Sequence, residues 1–278
     1  MDAYDELLEI LKDIDLMSQV RSLLGWDQEV LMPPKAATLR GEQLAWISRE
    51  SHRRKTSPRI GELLDELEEN GELNEIERAN VRLAREAYVK ATKLPTEFVS
   101  EMARHNSKAV ISWTEAREKN DFSIFRDDLA KSIDFARKKA DYLGYETLRY
   151  DALLDIYESG LTVARLDPLF DGLRTEVAPL IKSVAERGGG PDMSWITDNS
   201  WSREGQERLS QKVSEAIGFD FDSGRRDAST HPFCGGPNPD DVRWTTRYND
   251  SDPFGSLYGS MHETGHGTYE QGRPRDLD

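Results

Sequence analysis

The sequence is poor in cysteine and has no long apolar run. Its 278 residues include one cysteine, Cys234, so an intramolecular disulfide framework is excluded and a reducing, cytoplasmic location is expected. No run of about 18 apolar residues occurs, and the N-terminus lacks a secretory signal pattern, so no membrane span is predicted. Because no Cys-His pattern accompanies it, Cys234 is interpreted as a structural thiol rather than a nucleophile.

Positive charge is also scarce. The chain has 37 Lys and Arg residues against 52 Asp and Glu residues, which gives a formal net charge of -15. Such a balance disfavours nucleic acid and anionic membrane surfaces as partners. The hydrophobic fraction of 37% is enough for a sizeable core, so the chain is expected to be a soluble globular protein.

Helical periodicity dominates the first 217 residues. Apolar residues recur at helical spacing near the N-terminus, and Gly, Pro or Asn marks the breaks between segments. The spacing predicts helices over 39–47, 60–67, 76–88, 94–119, 122–144, 166–187 and 202–218. The expected fold class is mainly α, a large multi-helix domain. We treat 1–278 as a single mostly helical domain, with helices over about 1–217.

The helical spacing of apolar residues stops after Gly218. Three stretches, 219–222, 228–233 and 242–248, differ from the helical segments before them, and the alternation in the last stretch predicts short β-strands. A small β-sheet is therefore expected to precede the last helix, and strands plus that helix occupy about 218–272. The edge of such a sheet could hold an extended peptide by main-chain hydrogen bonds, which is a hypothesis at this point.

The last helix carries the pattern His262-Glu263-Thr264-Gly265-His266. Asp252-Pro253 predicts its N-terminus, and apolar residues at 254, 257, 258 and 261 predict a buried stripe. Histidines four apart project from one helix face, as two ligands of one metal must. The alternative is a surface helix whose histidines are neighbours by chance.

The pattern predicts metal-assisted hydrolysis, most naturally of a peptide bond. A glutamate beside paired histidines serves as the general base toward a metal-activated water, so Glu263 is the predicted catalytic residue and His262 and His266 the predicted metal ligands. A catalytic zinc needs three protein ligands, and this pattern supplies two. A third histidine at the metzincin spacing is excluded because Gly272 stands there.

Several further segments carry a family resemblance. They are His231-Pro232-Phe233, Asp241-Val242-Arg243-Trp244-Thr245 with a D-x-R-x-T pattern, the continuation of the zinc motif through Gly272, and the upstream segments 23–34 and 150–158. In these blocks and their order, the chain resembles the carboxypeptidase Taq family of metallocarboxypeptidases, also called thermostable carboxypeptidase 1. The resemblance implies removal of C-terminal residues from peptides, with Zn²⁺ as the metal and Co²⁺ as an alternative, and homodimers.

The resemblance also implies roles for residues before the motif helix. His231 is similar to a histidine that the family keeps near the substrate, and the alternative is a histidine satisfied within its own loop. Asp241 and Arg243 are two apart on a predicted strand and share a face, so they are expected to form a salt bridge that supports the site, together with Thr245.

The chain departs from the family in length. Family members are about twice as long, and their third metal ligand is a glutamate in a His-Glu-Ser-Gln motif beyond the zinc helix, so this chain is expected to be truncated and inactive alone. Glu270 is a poor substitute because it lies a turn further along the same helix, and Asp276 and Asp278 would require the tail to fold back. Two alternatives stay open: a short non-catalytic homologue that binds or dimerises, and a hydrolase completed by another chain.

Overall fold

The computed structural model describes residues 2–275, and helices account for most of them. The N-terminal part is a series of long helices separated by short connections. These helices are α1 (Ala3–Val30), α2 (Ala37–Lys55), α3 (Pro58–Glu68), α4 (Glu75–Thr92), α5 (Thr96–Lys119) and α6 (Ser123–Leu143), with a short 3₁₀ turn at Pro34–Ala36. No helix within residues 2–275 is long and apolar enough to cross a membrane.

Local signals in the sequence set several helix ends. The side chain of Asn74 accepts a hydrogen bond from the backbone N–H of Glu77, and the Glu77 carboxylate accepts one from the N–H of Asn74, so α4 begins with a capping box. Asn120 ends α5 in the left-handed conformation with φ of 50°. Gly144 follows α6 with φ of 81°, where a side chain would be strained.

The main apolar core of the N-terminal part lies where α1, α3 and α4 meet. Leu7 and Ile14 of α1 pack against Leu63 and Leu64 of α3 and Val81 of α4, and all five are buried. Helix α3 is the most clearly amphipathic of the three, because its apolar residues at 60, 63, 64 and 67 share one face. Helix α2 packs against both α1 and α5, so it connects this core to α5.

The second half of the chain begins with α7 (Asp151–Tyr157), α8 (Val163–Arg187), the single turn α9 (Ser194–Thr197) and α10 (Arg203–Ile217). None of the 25 residues of α8 is buried. Its apolar side chains instead form an exposed stripe, consisting of Leu169, Phe170, Leu173, Val177, Leu180, Ile181 and Val184.

Three short strands follow α10: β1 (Gly224–Ala228), β2 (Cys234–Gly235) and β3 (Val242–Thr246). β3 is central, parallel to β1 and antiparallel to β2, and Trp244 pairs with Arg226 on one side and Cys234 on the other. The last helix, α11 (Pro253–Gln271), packs against both β3 and α10. The predicted class, mainly α with a small sheet before the motif helix, is confirmed.

The predicted buried stripe of α11 is wrong. Tyr258 is 63% exposed and Met261 is 44% exposed. The buried face consists of small and polar residues instead: Ser256, Ser260, Glu263, Thr264 and Gly267. The reason is the neighbouring helix, because α10 presents Gln206, Ser210 and Ser214 at the same four-residue spacing, and hydrogen bonds join the two sets.

Close packing explains one of the glycines of α11. A Cβ on Gly267 would lie 2.7 Å from the ring of Phe219, which belongs to the small core beside the sheet. The absence of a side chain at this position therefore lets α11 approach the sheet core. Gly265 has open space around it, so close packing does not explain that glycine.

Candidate active site

The motif helix begins where the sequence predicts. The Asp252 side chain accepts a hydrogen bond from the backbone N–H of Gly255 at 3.0 Å, and Pro253 occupies the first helical position. This start places His262 about two and a half turns and His266 about three and a half turns along the helix. The cap fixes the first residue of the helix, and the four-residue spacing then puts both histidines on one face of it.

The two motif histidines converge on one point in space. Their Nε2 atoms lie 3.2 Å apart, and their rings meet edge to face with centroids 4.8 Å apart. Two nitrogens bound to one tetrahedral zinc at about 2.0–2.1 Å each are separated by about 3.3 Å. The observed separation fits a shared metal. Both side chains are exposed, so the pair is open to an ion from solvent.

Glu263 lies between the two histidines in sequence but faces the protein interior. Its side chain is 7% exposed. Burial raises the pKa of Glu263, while the imidazoles of His262, His266 and His231 act in the opposite direction. A carboxylate with a raised pKa holds a proton more readily than a solvated one, which suits a general base at near-neutral pH.

A cavity of about 470 Å³ adjoins this face, and Glu263, His266 and Glu270 line one side of it. The other side is formed by the loop and strand residues Pro232, Phe233, Cys234, Gly235, Gly236 and Asn238. The sheet edge and the motif helix therefore enclose a space large enough for part of a peptide.

His231 lies in the loop between β1 and β2, and hydrogen bonds hold that loop. Ser229 donates from Oγ to the carbonyl oxygen of His231 at 2.6 Å, and its Oγ is also 2.6 Å from Oγ1 of Thr245. The backbone N–H of Phe233 donates to the same Thr245 oxygen at 3.1 Å. Thr245 is fully buried on the central strand, and it holds the loop on both sides of His231, through Ser229 before it and Phe233 after it.

Asp241 and Arg243 form the salt bridge that their spacing predicts. Arg243 donates from Nε and Nη2 to the two carboxylate oxygens of Asp241 at 2.7 and 2.9 Å. The Arg243 guanidinium also lies 4.2 Å from the ring centroid of Trp26, and Arg225 lies 4.8 Å from it. Arg225 is itself paired with Asp227. Trp26 of α1 therefore connects the N-terminal helices to β1 and β3 through cation–π contacts.

Cys234 has the environment of a structural thiol. It is half-buried on β2, and burial raises its pKa to about 12, with the carboxylates of Glu263 and Glu270 acting in the same direction. A thiol with this pKa is protonated near neutral pH and is a poor nucleophile. The geometry therefore gives no support to a cysteine-based mechanism.

A third metal ligand is not found within residues 2–275. No group of three His, Cys, Asp or Glu side chains in that part of the chain is arranged to hold a metal. Glu270 pairs with Arg273 at 3.0 Å. Asp276 and Asp278, the other candidates from the sequence, lie outside the described residues. The described part thus brings two candidate ligands together, whereas a catalytic zinc site has three protein ligands.

Sequence reasoning gave no role to three residues near the site. Trp26 and Glu29 are on α1, and Trp113 is on α5 with its ring centroid 6.4 Å from that of His231. Burial raises the pKa of Glu29, and His231 acts in the opposite direction. Trp26 and Glu29 belong to the segment 23–34 that carries the family resemblance, which was the one available signal. Trp113 had none, because helical periodicity alone accounts for it.

The geometry and the sequence blocks agree with a known family. A family model described as carboxypeptidase Taq (M32) metallopeptidase matches residues 6–278. The chain belongs to this family. Carboxypeptidase 1 of Bacillus subtilis (strain 168) is 38% identical over 267 residues, covering 96% of this chain and 53% of that protein. Thermostable carboxypeptidase 1 of Thermus thermophilus is 34% identical over 287 residues, covering 99% of this chain and 56% of that protein.

Solved structures of the family share the fold. The BsuCP crystal structure superposes with a TM-score of 0.97 at 37% identity, covering 100% of this chain and 56% of that one. Metallocarboxypeptidase 1 of Trypanosoma cruzi superposes with a TM-score of 0.82 at 34% identity, covering 99% and 56%. The chain therefore spans about half the length of the relatives it matches, and those relatives are metal-dependent carboxypeptidases.

Proposed function

We propose that this chain carries the metal-binding histidines and the general base of a metallocarboxypeptidase, which removes C-terminal residues from peptides. The observation that carries the proposal is the 3.2 Å separation of the His262 and His266 Nε2 atoms beside the buried carboxylate of Glu263. Family membership supports the reaction class. The position of the carboxylate, within the motif but on the neighbouring face of α11, suits a base acting next to the ion.

His262 and His266 would hold the metal, with Zn²⁺ as the expected ion and Co²⁺ as the alternative. A metal there would acidify water and polarise the scissile carbonyl. Glu263 would take the proton from the attacking water at its carboxylate and return it to the leaving amine. His231, held by the Thr245 hydrogen bonds, would donate a hydrogen bond to the bound peptide or to the oxygen on which charge develops.

A supporting role is proposed for Asp241, Arg243 and Thr245, which would position the His231 loop and would not touch the substrate. The bidentate pair and Trp26 fix the strand that carries Thr245, and Thr245 fixes the His231 loop. A peptide would lie in the cavity between this loop and α11. The preferred C-terminal residue would depend on the side chains that close this cavity in the assembled enzyme.

We infer that the described residues bind a metal weakly and do not catalyse efficiently by themselves. Two imidazoles without an anionic third ligand lack one bond and the compensating charge. The third ligand would come from a segment outside residues 2–275. Cytoplasmic location, expected from the single cysteine, stays a prediction.

A chimera tests this function directly. The part of Bacillus subtilis carboxypeptidase 1 that lies outside the match would be joined after residue 278, and peptides would be incubated with the zinc-loaded product. Mass spectrometry should show peptides shortened one residue at a time from the C-terminus. Glu263→Gln should reduce the rate by about 10²–10⁴-fold. Glu215→Gln on the exposed face of α10, outside this cavity, serves as the control. A folded, metal-loaded chimera without C-terminal release would contradict the proposal.

One observation favours the second candidate function, a binding or dimerising module. The exposed apolar stripe of α8 leaves that helix without a buried residue, and Tyr258, Met261 and Tyr269 are exposed on α11. Apolar surface of this extent is typical of an interaction face. Light scattering of the isolated chain tests this second candidate: a homodimer that dissociates in Leu173→Glu and Leu180→Glu variants supports self-association through α8, and a monomer at all concentrations contradicts it.

A further inference from the structure

A second cavity lies in the N-terminal helices, away from the motif helix. It has a volume of about 410 Å³ and is bounded by α1, α2, α4 and α5. Most of its wall is apolar and continuous with the main core, including Leu11, Ile14, Tyr88, Leu94, Val99 and Met102. A cavity of this size with apolar walls matches the usual dimensions of a small-molecule site.

One buried polar group in the wall lacks a partner. His52 of α2 is 5% exposed, and its Nε2 lies 2.8 Å from the carbonyl oxygen of Leu94. Because a carbonyl only accepts, Nε2 carries the hydrogen and donates it. The other ring nitrogen, Nδ1, has no hydrogen-bond partner among the described residues. Leaving a buried polar atom unpaired costs free energy, so the imidazole is a polar group that a ligand could satisfy.

Two cationic side chains line the same cavity. Lys55 and Arg21 are exposed residues whose side chains also contribute to the cavity wall, and neither forms an ion pair with a carboxylate of the described residues. Asp15 interacts electrostatically with Lys55, and its carboxylate accepts a hydrogen bond from Gln19 at 2.6 Å. Burial lowers the pKa of Lys55 and the charge of Arg21 adds to this effect. Two unpaired cations held close together favour an anion between them.

We propose that this cavity binds a small amphipathic carboxylate, with its apolar part against the core wall and its carboxylate among His52, Lys55 and Arg21. Lys55 interacts electrostatically with both His52 and Arg21, so the unpaired Nδ1 and the two cations belong to the same part of the cavity. In the neutral ring Nδ1 has only a lone pair, so binding of a carboxylate takes up one proton, which then lies between Nδ1 and a carboxylate oxygen. The two cations supply charge-assisted contacts for the remaining carboxylate oxygen.

The cavity is accessible from solvent. Ser18, Arg21, Ser48 and Asn106 also line a neighbouring polar cavity of about 520 Å³, which extends to Gly236. A ligand can therefore enter with its carboxylate passing along polar side chains. The binding site does not include any residue of the metal motif, so the proposal is independent of the proposed carboxypeptidase function.

Calorimetric titration of the purified chain with sodium octanoate tests the proposal. We expect saturable one-to-one binding with a dissociation constant below about 1 mM. Lys55→Met and Arg21→Met should each weaken binding by about tenfold or more. Arg53→Met is the matched control, because Arg53 is on the same helix, is paired with Glu50 and does not line the cavity.

Two further measurements make the outcome decisive. 1-Octanol has the same apolar chain without the charge and should bind at least about tenfold more weakly than octanoate. In ¹⁵N-histidine-labelled protein, the Nδ1 resonance of His52 should shift on addition of octanoate. The proposal is overturned by absence of saturable binding, by equal binding of octanol, or by equal losses in the Lys55, Arg21 and Arg53 variants.

Discussion

Ser214 and Thr264 share a hydrogen bond of 2.8 Å across the buried contact between α10 and α11. Ser214 donates its own proton to the carbonyl oxygen of Ser210 at 2.8 Å, so the Thr264 hydroxyl is the donor of the bond between the helices. Both residues are fully buried. Because Thr264 lies between the two motif histidines in sequence, this bond helps to fix the orientation of α11 about its own axis relative to α10.

Removal of this bond should destabilise the chain. Thr264→Val keeps the shape and removes the donor, so we expect a loss of about 1 kcal/mol in the free energy of unfolding. Ser214→Ala leaves the Thr264 hydroxyl unpaired and should cost about 1–3 kcal/mol. Urea unfolding of the metal-free protein measures both.

The double variant provides the check on this prediction. Its loss should be smaller than the sum of the two single losses by about 1 kcal/mol, because the second change removes a partner that is already unpaired. Thr175→Val on α8 is the matched control; its side chain is exposed and bonds only within its own helix. Strictly additive losses for Ser214 and Thr264 would show that the bond is not formed.

Trp26 should be a major contributor to stability. Its side chain is 8% exposed, and it contacts the guanidinium groups of Arg225 and Arg243. Trp26→Ala is expected to cost about 3–5 kcal/mol. Trp26→Phe should cost less, because it keeps a ring and the indole Nε1 has no hydrogen-bond partner among the described residues.

Thermal and urea unfolding of the Trp26 variants measure these losses. Trp46→Ala is the control for removal of a tryptophan, since Trp46 is 55% exposed and should change stability by about 0.5 kcal/mol or less. A Trp26→Ala variant as stable as the control would mean that α1 and the sheet are held together by other contacts.

Cys234 should react slowly with alkylating reagents in the folded protein. Its pKa of about 12 lies well above the ordinary value of 9.0, so its thiolate fraction at pH 8.5 is very small. The sign for stability follows from the raised pKa: folding favours the protonated thiol, so this contribution to stability falls as the pH rises above 9.0.

Iodoacetamide labelling followed by mass spectrometry checks this, because Cys234 is the single cysteine of the chain. The rate in the folded state at pH 8.5 should be at least about 100-fold below that in urea. It should rise about tenfold per pH unit until the protein unfolds. Equal rates in the two states would show that the thiol is not in the environment described.

Patterns within one segment of the sequence predicted local structure well. The cap at Asp252, the start of α5 near Thr96 and the end of α6 near Gly144 follow from residues next to one another in the chain. The strand β3 ends at Thr246 rather than at residue 248. The short helices α7 and α9 were not predicted, since 7 and 4 residues are too few for a periodic signal.

Contacts between distant segments could not be predicted from spacing. The face of α11 that is buried depends on the serines of α10, about 50 residues away, and apolar periodicity favoured the opposite side. The Trp26–Arg243 contact joins residues more than 200 positions apart. The salt bridge between Asp241 and Arg243 was predictable because the two residues are two positions apart, with Arg243 on β3 and Asp241 directly before it.

The most direct test of the central claim is the zinc content of the purified chain after zinc loading, followed by competition with a chromophoric chelator. We predict that the chain binds one zinc weakly through His262 and His266, loses it during dialysis, and binds about tenfold or more weakly still in His262→Ala and His266→Ala. His105→Ala, which removes a buried histidine of α5, is the control. One equivalent of zinc retained after dialysis, or zinc affinity unchanged by the two motif variants, would contradict the account.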